Sequence, residues 1–410
     1  MDHFTETTRT GYGSNIGNSF KGILFGFLLI IISIVLLWYN ESRSVKQATA
    51  LKEMQSKIIT LADTKYKPEY NNKPILIQGE VKPVNIVKDA TFGVVSDGLL
   101  LQRDVTMYQW EEQTSSHSED KLGGSTETIT TYDYHKGWNS HPQNSSSFKH
   151  PSGHENPPMH YHSQLFSTDA TIGDFHISKS IINKFNISSS FDGLNNMPDN
   201  IGEAKNYKQF LYIGDNPQSA NIGDMKISYR YTPLGIYSIA TKAKNKELVN
   251  YVTSNGREFT FIKKGKVSAS QIFEDELDSN SLLTWLFRAG GLVLMFVGFK
   301  LIMGPLSALA NVIPMFGSLV GGASSLVALV FTVLLGSIII SLAWFASRPI
   351  MSLVIIGGAI LISMIFSKSR GEREIQDSTP PPTNSNPPSR RDSSVPPPSR
   401  RDPSTPPPRR

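Results

Sequence analysis

The apolar positions of this chain fall into two blocks separated by a long alternating stretch. From Gly22 to Tyr39 there is no charged residue and the run is almost continuously apolar. Its 18 residues, at 1.5 Å each, cover about 27 Å, close to the roughly 30 Å of a hydrocarbon core. A secretory signal ends in small residues ahead of its cleavage point. Here "LLWYNESRSVKQA" brings Trp38 and Tyr39 to the exit, the usual place for interfacial aromatics, and continues in helix-forming residues. A retained transmembrane helix at 22–39 is therefore expected. Ala48, Leu51, Ile58 and Leu61 carry on at helical spacing with Lys46, Lys52 and Lys57 on other faces, which predicts an amphipathic continuation docked on the chain's own domain.

The second block has no charged residue between Lys300 and Arg348. Its pattern predicts spans at 282–302, 319–343 and 350–366, and "GPLSALANVIPMFG", with Pro305 and Pro314, reads as an interfacial or re-entrant connection between the first two. Residues 1–21 are a polar flank and 367–410 a Pro, Ser and Arg-rich tail, repeating "PSRRD", that is expected to be disordered. Between the blocks, 40–281 is β-rich: "KPILIQGEV", "GLLLQRDVTMYQW", "ETITTYDYHKGW", "QFLYIGD" and "MKISYRYTPLGIYSIATK" set β-branched and aromatic residues between Gly, Asn and Asp turns. "IGDFHIS" at 172 echoes "IGDMKIS" at 222, consistent either with duplication or with similar turn chemistry arising twice. The expected fold class is α+β: a multi-pass integral membrane protein with four spans, one N-terminal and three C-terminal, and a large extramembrane β domain. An even count places both termini on one side of the bilayer and the β domain on the other.

Composition adds little to that layout. The 410 residues are 39% hydrophobic with a formal net charge of +5 and a mean hydropathy of −0.20. The basic tail favours a cytoplasmic position, whereas Arg43, Lys46, Lys52 and Lys57 after the first span argue the other way, so charge leaves the orientation open. There is no cysteine, which removes disulfides and thiolate metal sites. Sequons at Asn144 and Asn186 matter only for a lumenal domain in a eukaryote.

Eight of the nine histidines lie between His117 and His176. His150 and His154, and His160 and His162, have metal-like spacings, but Pro151, Gly153, Pro157 and Pro158 interrupt any regular helix, and a polar surface loop is the expected reading, with no metal assigned. Tyr108, Trp110, Tyr132, Tyr134 and Trp138 either floor a pocket or form cross-strand packing pairs, the commoner use. Glu111 and Glu112 are adjacent on a strand, point to opposite faces and make a poor acid/base pair. No nucleophile elbow, Walker loop or dinucleotide fingerprint occurs. Neither a cofactor nor a nucleic-acid partner is expected.

Within the membrane blocks, Gly22 and Gly26, and Gly317, Gly321 and Ser325, are four residues apart and would let helices approach closely, within one chain or between chains. Arg288 and Arg348 fall near span ends, where they anchor topology or meet a carboxylate such as Glu274, Asp275 or Glu276.

Taken together, "WYNESRSVK", "MYQWEE", "TYDYHKGW", "GDMKISY", "LTWLFRAGGLVLMFVGF", "GPLSALANVIP" and "LAWFASRP" resemble the LUMA family, transmembrane protein 43. Their order covers nearly all of 20–366. The resemblance implies one N-terminal and three C-terminal spans with the large domain lumenal, or periplasmic in a bacterium. It implies homo-oligomeric membrane organisers with membrane-protein partners, sited in the endoplasmic reticulum and inner nuclear membrane of a eukaryote or the inner membrane of a bacterium. The chain departs from the family in its tail and its histidine-rich insert. The expected function is a non-enzymatic, homo-oligomerising membrane scaffold. The alternative is a membrane-associated enzyme or lipid-handling protein working at headgroup level through the β domain.

Overall fold

A computed structural model of the chain describes residues 2–348 and positions 353–355, 357, 358 and 360. The expected fourth span at 350–366 lies largely, and the tail at 367–410 wholly, outside the described residues. Residues 1–349 form one compact unit.

The chain begins with strand β1 (Asp2–Thr10) and turns at Gly11 into a single helix α1 (Tyr12–Lys57). The main strands that follow are β2 (Pro74–Pro83), β3 (Leu100–Asp120), β4 (Thr126–Asn139), β5 (Met225–Thr232), β6 (Gly235–Lys244) and β7 (Phe261–Lys264). Three helices follow: α2 (Ala269–Ile302), the short α3 (Gly304–Ala310) and α4 (Pro314–Ser347). The architecture is α+β, with three helices, α1, α2 and α4, long and apolar enough to cross a membrane.

In one sheet β2 pairs with both Ala170–Ile172 and β6. The path through Phe175–Ile177 and Glu247–Val249 back to β6 closes a ring of strands. Ring closure buries both faces of β2, which explains its unbroken "PILI". Ile75 and Ile77 point into the ring's core with Phe175 and Ile239. Leu76, one residue out of phase, packs outward on Ala50, Leu51 and Met54 of α1 and Phe273 of α2. The predicted amphipathic continuation is therefore the docking face of α1. The helix stops at Lys57, and Leu61 lies beyond it in the ring core.

The second sheet runs β1, β4, β3, β5 and then three short strands ending at Asn200–Ile201. Its core is built from Leu101, Val105, Met107, Ile227 and Tyr229. Under it Arg103, 5% exposed, donates to both oxygens of Asp89 at 2.9 and 3.1 Å, and the Tyr229 hydroxyl donates to the same carboxylate at 2.7 Å. Burial, and then the adjacent carboxylate, push the Tyr229 hydroxyl above its ordinary range. The two "IGD" echoes are two turns of like chemistry: Gly173 and Gly223 both take positive φ ahead of a strand, in different sheets.

Beyond Tyr108, β3 leaves the domain core and runs out with β4 and β1 as a three-stranded ribbon, in register from Glu112–Tyr134–Asp2 to Asp120–Thr126–Thr10. Residues 1–21 are thus not a separate polar flank. The β-branched "TETTRT" adds an edge strand to the β domain, and α1 begins ten residues before the apolar run. The ribbon tip reaches the start of α1 and the α3–α4 connection. Asn15 Nδ2 donates to Gly124 O at 3.0 Å, Gly123 N donates to Val312 O at 3.0 Å, and Asn311 Nδ2 donates to Asp120 Oδ2 at 2.8 Å. The ribbon therefore starts from the domain at the C-terminal end of α1 and ends beside the residues that enter its apolar run.

Candidate functional site

Where α1 leaves its apolar run, Asn40, Glu41, Arg43 and Ser44 face Asn280, Thr284 and Arg288 of α2, the latter three spaced four apart on one helical face. Asn40 and Glu41 are each 1% exposed. Arg288 Nε donates to Glu41 Oε1 at 2.6 Å and its guanidinium lies 4.7 Å from the Trp285 ring centroid. Asn40 Nδ2 donates to Thr284 O at 3.0 Å, Asn280 Nδ2 to Ser44 O at 3.0 Å, Thr284 Oγ1 to Ser44 Oγ at 2.8 Å, and Arg43 to Asn280 Oδ1 at 3.2 Å. Arg348, at the end of α4, lies 4.9 Å from the Trp344 ring and shares with Glu41 and Arg288 the wall of a cavity of about 240 Å³.

The partner of Arg288 differs from the expected carboxylates. Asp275 and Glu276 instead meet Lys263 of β7 at 3.2 and 3.9 Å. Twelve residues of one helix separate Glu276 from Arg288, about 18 Å, more than a side chain can fold back. Three stretches that looked unrelated in the chain, "WYNESRSVK", "LTWLFRAGG" and "LAWFASRP", converge here. Chemically the cluster is one charge pair, Glu41 with Arg288, backed by the hydrogen-bonded amides of Asn40 and Asn280. The sequence carries a signal for it: Asn280, Thr284 and Arg288 form a polar i, i+4 stripe that runs into the apolar part of α2.

The small residues are used between helices of this chain. A Cβ on Gly26 would meet Gly298 O at 2.6 Å, and one on Gly298 would meet Ile30 Cγ1 at 2.7 Å, so α1 and α2 touch backbone to backbone. Gly22 faces Leu301. Gly317 packs on Asn311, Gly321 faces Ser307, and Ser325 accepts from Lys300 Nζ at 2.5 Å.

The histidine pairs separate. His154 is 2% exposed, stacks on Tyr134 with centroids 4.0 Å apart, meets the Trp110 ring edge-on, and its Nε2 lies 3.1 Å from Asp2 Oδ2. His150 stacks on Phe4 at 4.2 Å. Both pin β1 to the sheet. His160 is exposed, and His162 contributes its carbonyl to Arg103. Among the described residues no group of three or more His, Cys, Asp or Glu is placed to hold a metal ion. The aromatic strand residues are packing partners, Tyr108 with Trp138 and Trp138 with Tyr212. Glu111 and Glu112 diverge as expected, to Asn139 and His135 and to Tyr134 and the Lys149 amide respectively.

The sequence model of the family described as Transmembrane protein 43 matches residues 107–349, which takes in all of α2, Arg288 and Arg348. The chain belongs to the transmembrane protein 43 family. Transmembrane protein 43 of Homo sapiens and of Mus musculus are each 27% identical to it, over 89% of this chain and 94% of the relative. A Transmembrane protein 43 homolog of Drosophila melanogaster is 26% identical over 67% of this chain and 74% of the relative. No solved structure matches. As a transmembrane protein 43 family member, the chain is an integral membrane protein, and its long helices imply a bilayer around them.

Proposed function

We propose that this transmembrane protein 43 family member is a non-enzymatic membrane scaffold that assembles with further copies of itself. The carrying observation is the ribbon. It is polar on both faces, with β1 exposed along nearly its whole length and 113–120 of β3 exposed throughout. It is also unpaired at both edges. Trp110 N on the outer edge is capped by Asn156 Oδ1 at 2.7 Å. By the strand period Glu112, Thr114, Ser116 and Ser118 continue that edge, and no strand pairs with them or with the outer edge of β1 among the described residues. Open polar edges are not tolerated in hydrocarbon, and a long exposed edge is a template for another strand.

Head-to-tail pairing of β1 of one copy with β3 of the next satisfies both edges of every copy once the rotation between copies closes a ring. Arg9 of β1 is level with Glu119 of β3 across the ribbon, so the pairing joins opposite charges. Self-association is thus assigned to the ribbon, while the small residues hold the helices of one chain together. By family likeness the proposed setting is the endoplasmic reticulum and inner nuclear membrane, or a bacterial inner membrane with a periplasmic domain.

The absence of cysteine makes the test clean. Thr5→Cys combined with Ser115→Cys, which the same register sets level on one face, oxidised in native membranes, is expected to give a ladder of cross-linked species on a denaturing gel, with neither single variant doing so. A monomeric mass by light scattering across concentration, together with no ladder, would overturn the proposal.

A further inference from the structure

Beside the ribbon tip lies a polar cavity of about 620 Å³, walled by the start of α1, the end of α2, α3, the start of α4 and the tip itself. Gly22, where the apolar run of α1 begins, and Lys300, near the end of α2, both line it, so it sits at headgroup depth. Its polar lining includes Asn15, Asn18, Ser307 and Asn311, and its charged residues are one cation, Lys300, and one anion, Asp120. Lys300 Nζ donates to Gly321 O at 2.7 Å and Ser325 Oγ at 2.5 Å, which accounts for two of its three N–H groups. Asp120 accepts from Asn311 at 2.8 Å and Thr126 at 2.7 Å and keeps lone pairs for a further donor.

Ser325 also lines a second space, an almost wholly apolar groove of about 440 Å³ between α2 and α4, bounded by Leu292, Phe296, Leu326, Leu329 and Val333. From Gly321 at the cavity to Val333 in the groove, α4 rises 12 residues, about 18 Å into its apolar length. A polar chamber at headgroup depth, with the Lys300–Ser325 hydrogen bond between it and an apolar groove that runs inward, has the polarity profile of a phospholipid.

We propose that this is a binding site for a phospholipid whose headgroup carries a primary amine. Its phosphodiester meets Lys300, its ammonium meets Asp120, and one acyl chain lies in the α2–α4 groove. A cation and an anion in one cavity match a zwitterionic headgroup better than a purely anionic one, and the ammonium supplies the donors that the Asp120 carboxylate accepts. The site is independent of ribbon pairing, since every wall belongs to one chain.

The test is lipid retention by the full-length protein, delipidated in mild detergent and then offered palmitoyl-oleoyl phosphatidylethanolamine, phosphatidylglycerol or phosphatidylcholine, with bound lipid counted by native mass spectrometry. One phosphatidylethanolamine per chain is expected, bound at least tenfold tighter than the other two. Lys300→Met should lose about tenfold for every phospholipid. Asp120→Asn should abolish only the preference for phosphatidylethanolamine over phosphatidylglycerol. Leu329→Trp, which fills the groove and leaves the cavity charges in place, should lower retention on its own and guards against misfolding of the lysine variant. Equal retention of all three lipids, or unchanged retention in Lys300→Met and Leu329→Trp, would overturn the site. Glycerophosphoethanolamine binding as tightly as the intact lipid would reduce it to a headgroup pocket and overturn the acyl assignment.

Discussion

Replacing Arg288 with Met tests whether the clamp between α1 and α2 is structural. Glu41 is 1% exposed and its Oε1 accepts from Arg288 at 2.6 Å. Two unit charges about 4 Å apart attract by about 4 kcal/mol at an effective dielectric near 20. Breaking a buried pair by removing one partner typically costs about 3–5 kcal/mol, because the remaining charge is left uncompensated. The variant also forfeits the guanidinium over Trp285 at 4.7 Å, about 0.5–1 kcal/mol where partly exposed. A loss of about 4 kcal/mol is expected, read as the shift in denaturant-induced unfolding of the purified protein in micelles. Glu41→Gln combined with Arg288→Met removes both charges and should recover most of it, giving a coupling of about 2–3 kcal/mol in the double-mutant cycle. An Arg288→Met variant within about 0.5 kcal/mol of the parent would refute the reasoning and show that the pair is dispensable.

Gly26→Ala puts a methyl 2.6 Å from the Gly298 carbonyl, so α1 and α2 must separate; the same unfolding assay should report a loss of about 1–3 kcal/mol. Glu53 on α1 accepts from Lys57, Ser254 Oγ and the Ser254 amide, and these bonds hold its carboxyl down at about 2. A depressed folded-state value contributes stability above the unfolded value near 4.3, lost as pH falls from about 4.3 to 2. An acid-unfolding curve should therefore lose part of its slope in that window in Glu53→Gln, and an identical curve would contradict the assignment. His154→Ala removes a buried ring stacked on Tyr134 and should cost about 2–3 kcal/mol while speeding amide exchange in β1. A chelator should change neither quantity in the parent, and a chelator-induced loss would restore the metal reading.

The membrane helices were legible because an apolar run of span length has few other uses, and β2, β3 and β4 because aromatic and β-branched residues crowd between turns. The ends of those elements were not. Tyr12–Lys21 has two glycines and no apolar periodicity, and its helicity rests on contacts distant in sequence, such as Asn15 with Gly124, 109 residues away. β1 is written in threonines that a polar flank would also contain, and only its register with β4 distinguishes the two. The prolines and glycine around the histidines read as a polar surface loop, yet His154 is buried and fixed by aromatic stacking, which spacing does not encode. The charge of Arg288 stands out in an apolar stretch, but its partner lies 247 residues away, beyond any local rule.

The continuity of α1 makes it a lever. Its 46 residues span about 69 Å as one rod, of which only about 27 Å lies in the apolar run. A bilayer thinner than that run is accommodated by tilt. Because Ala50, Leu51 and Met54 are locked into the β domain, the rod cannot tilt alone. A change of about 10° within the bilayer carries the domain end, some 27 Å past Tyr39, sideways by about 5 Å. Membrane thickness is thereby converted into position of the β domain, without any joint having to bend.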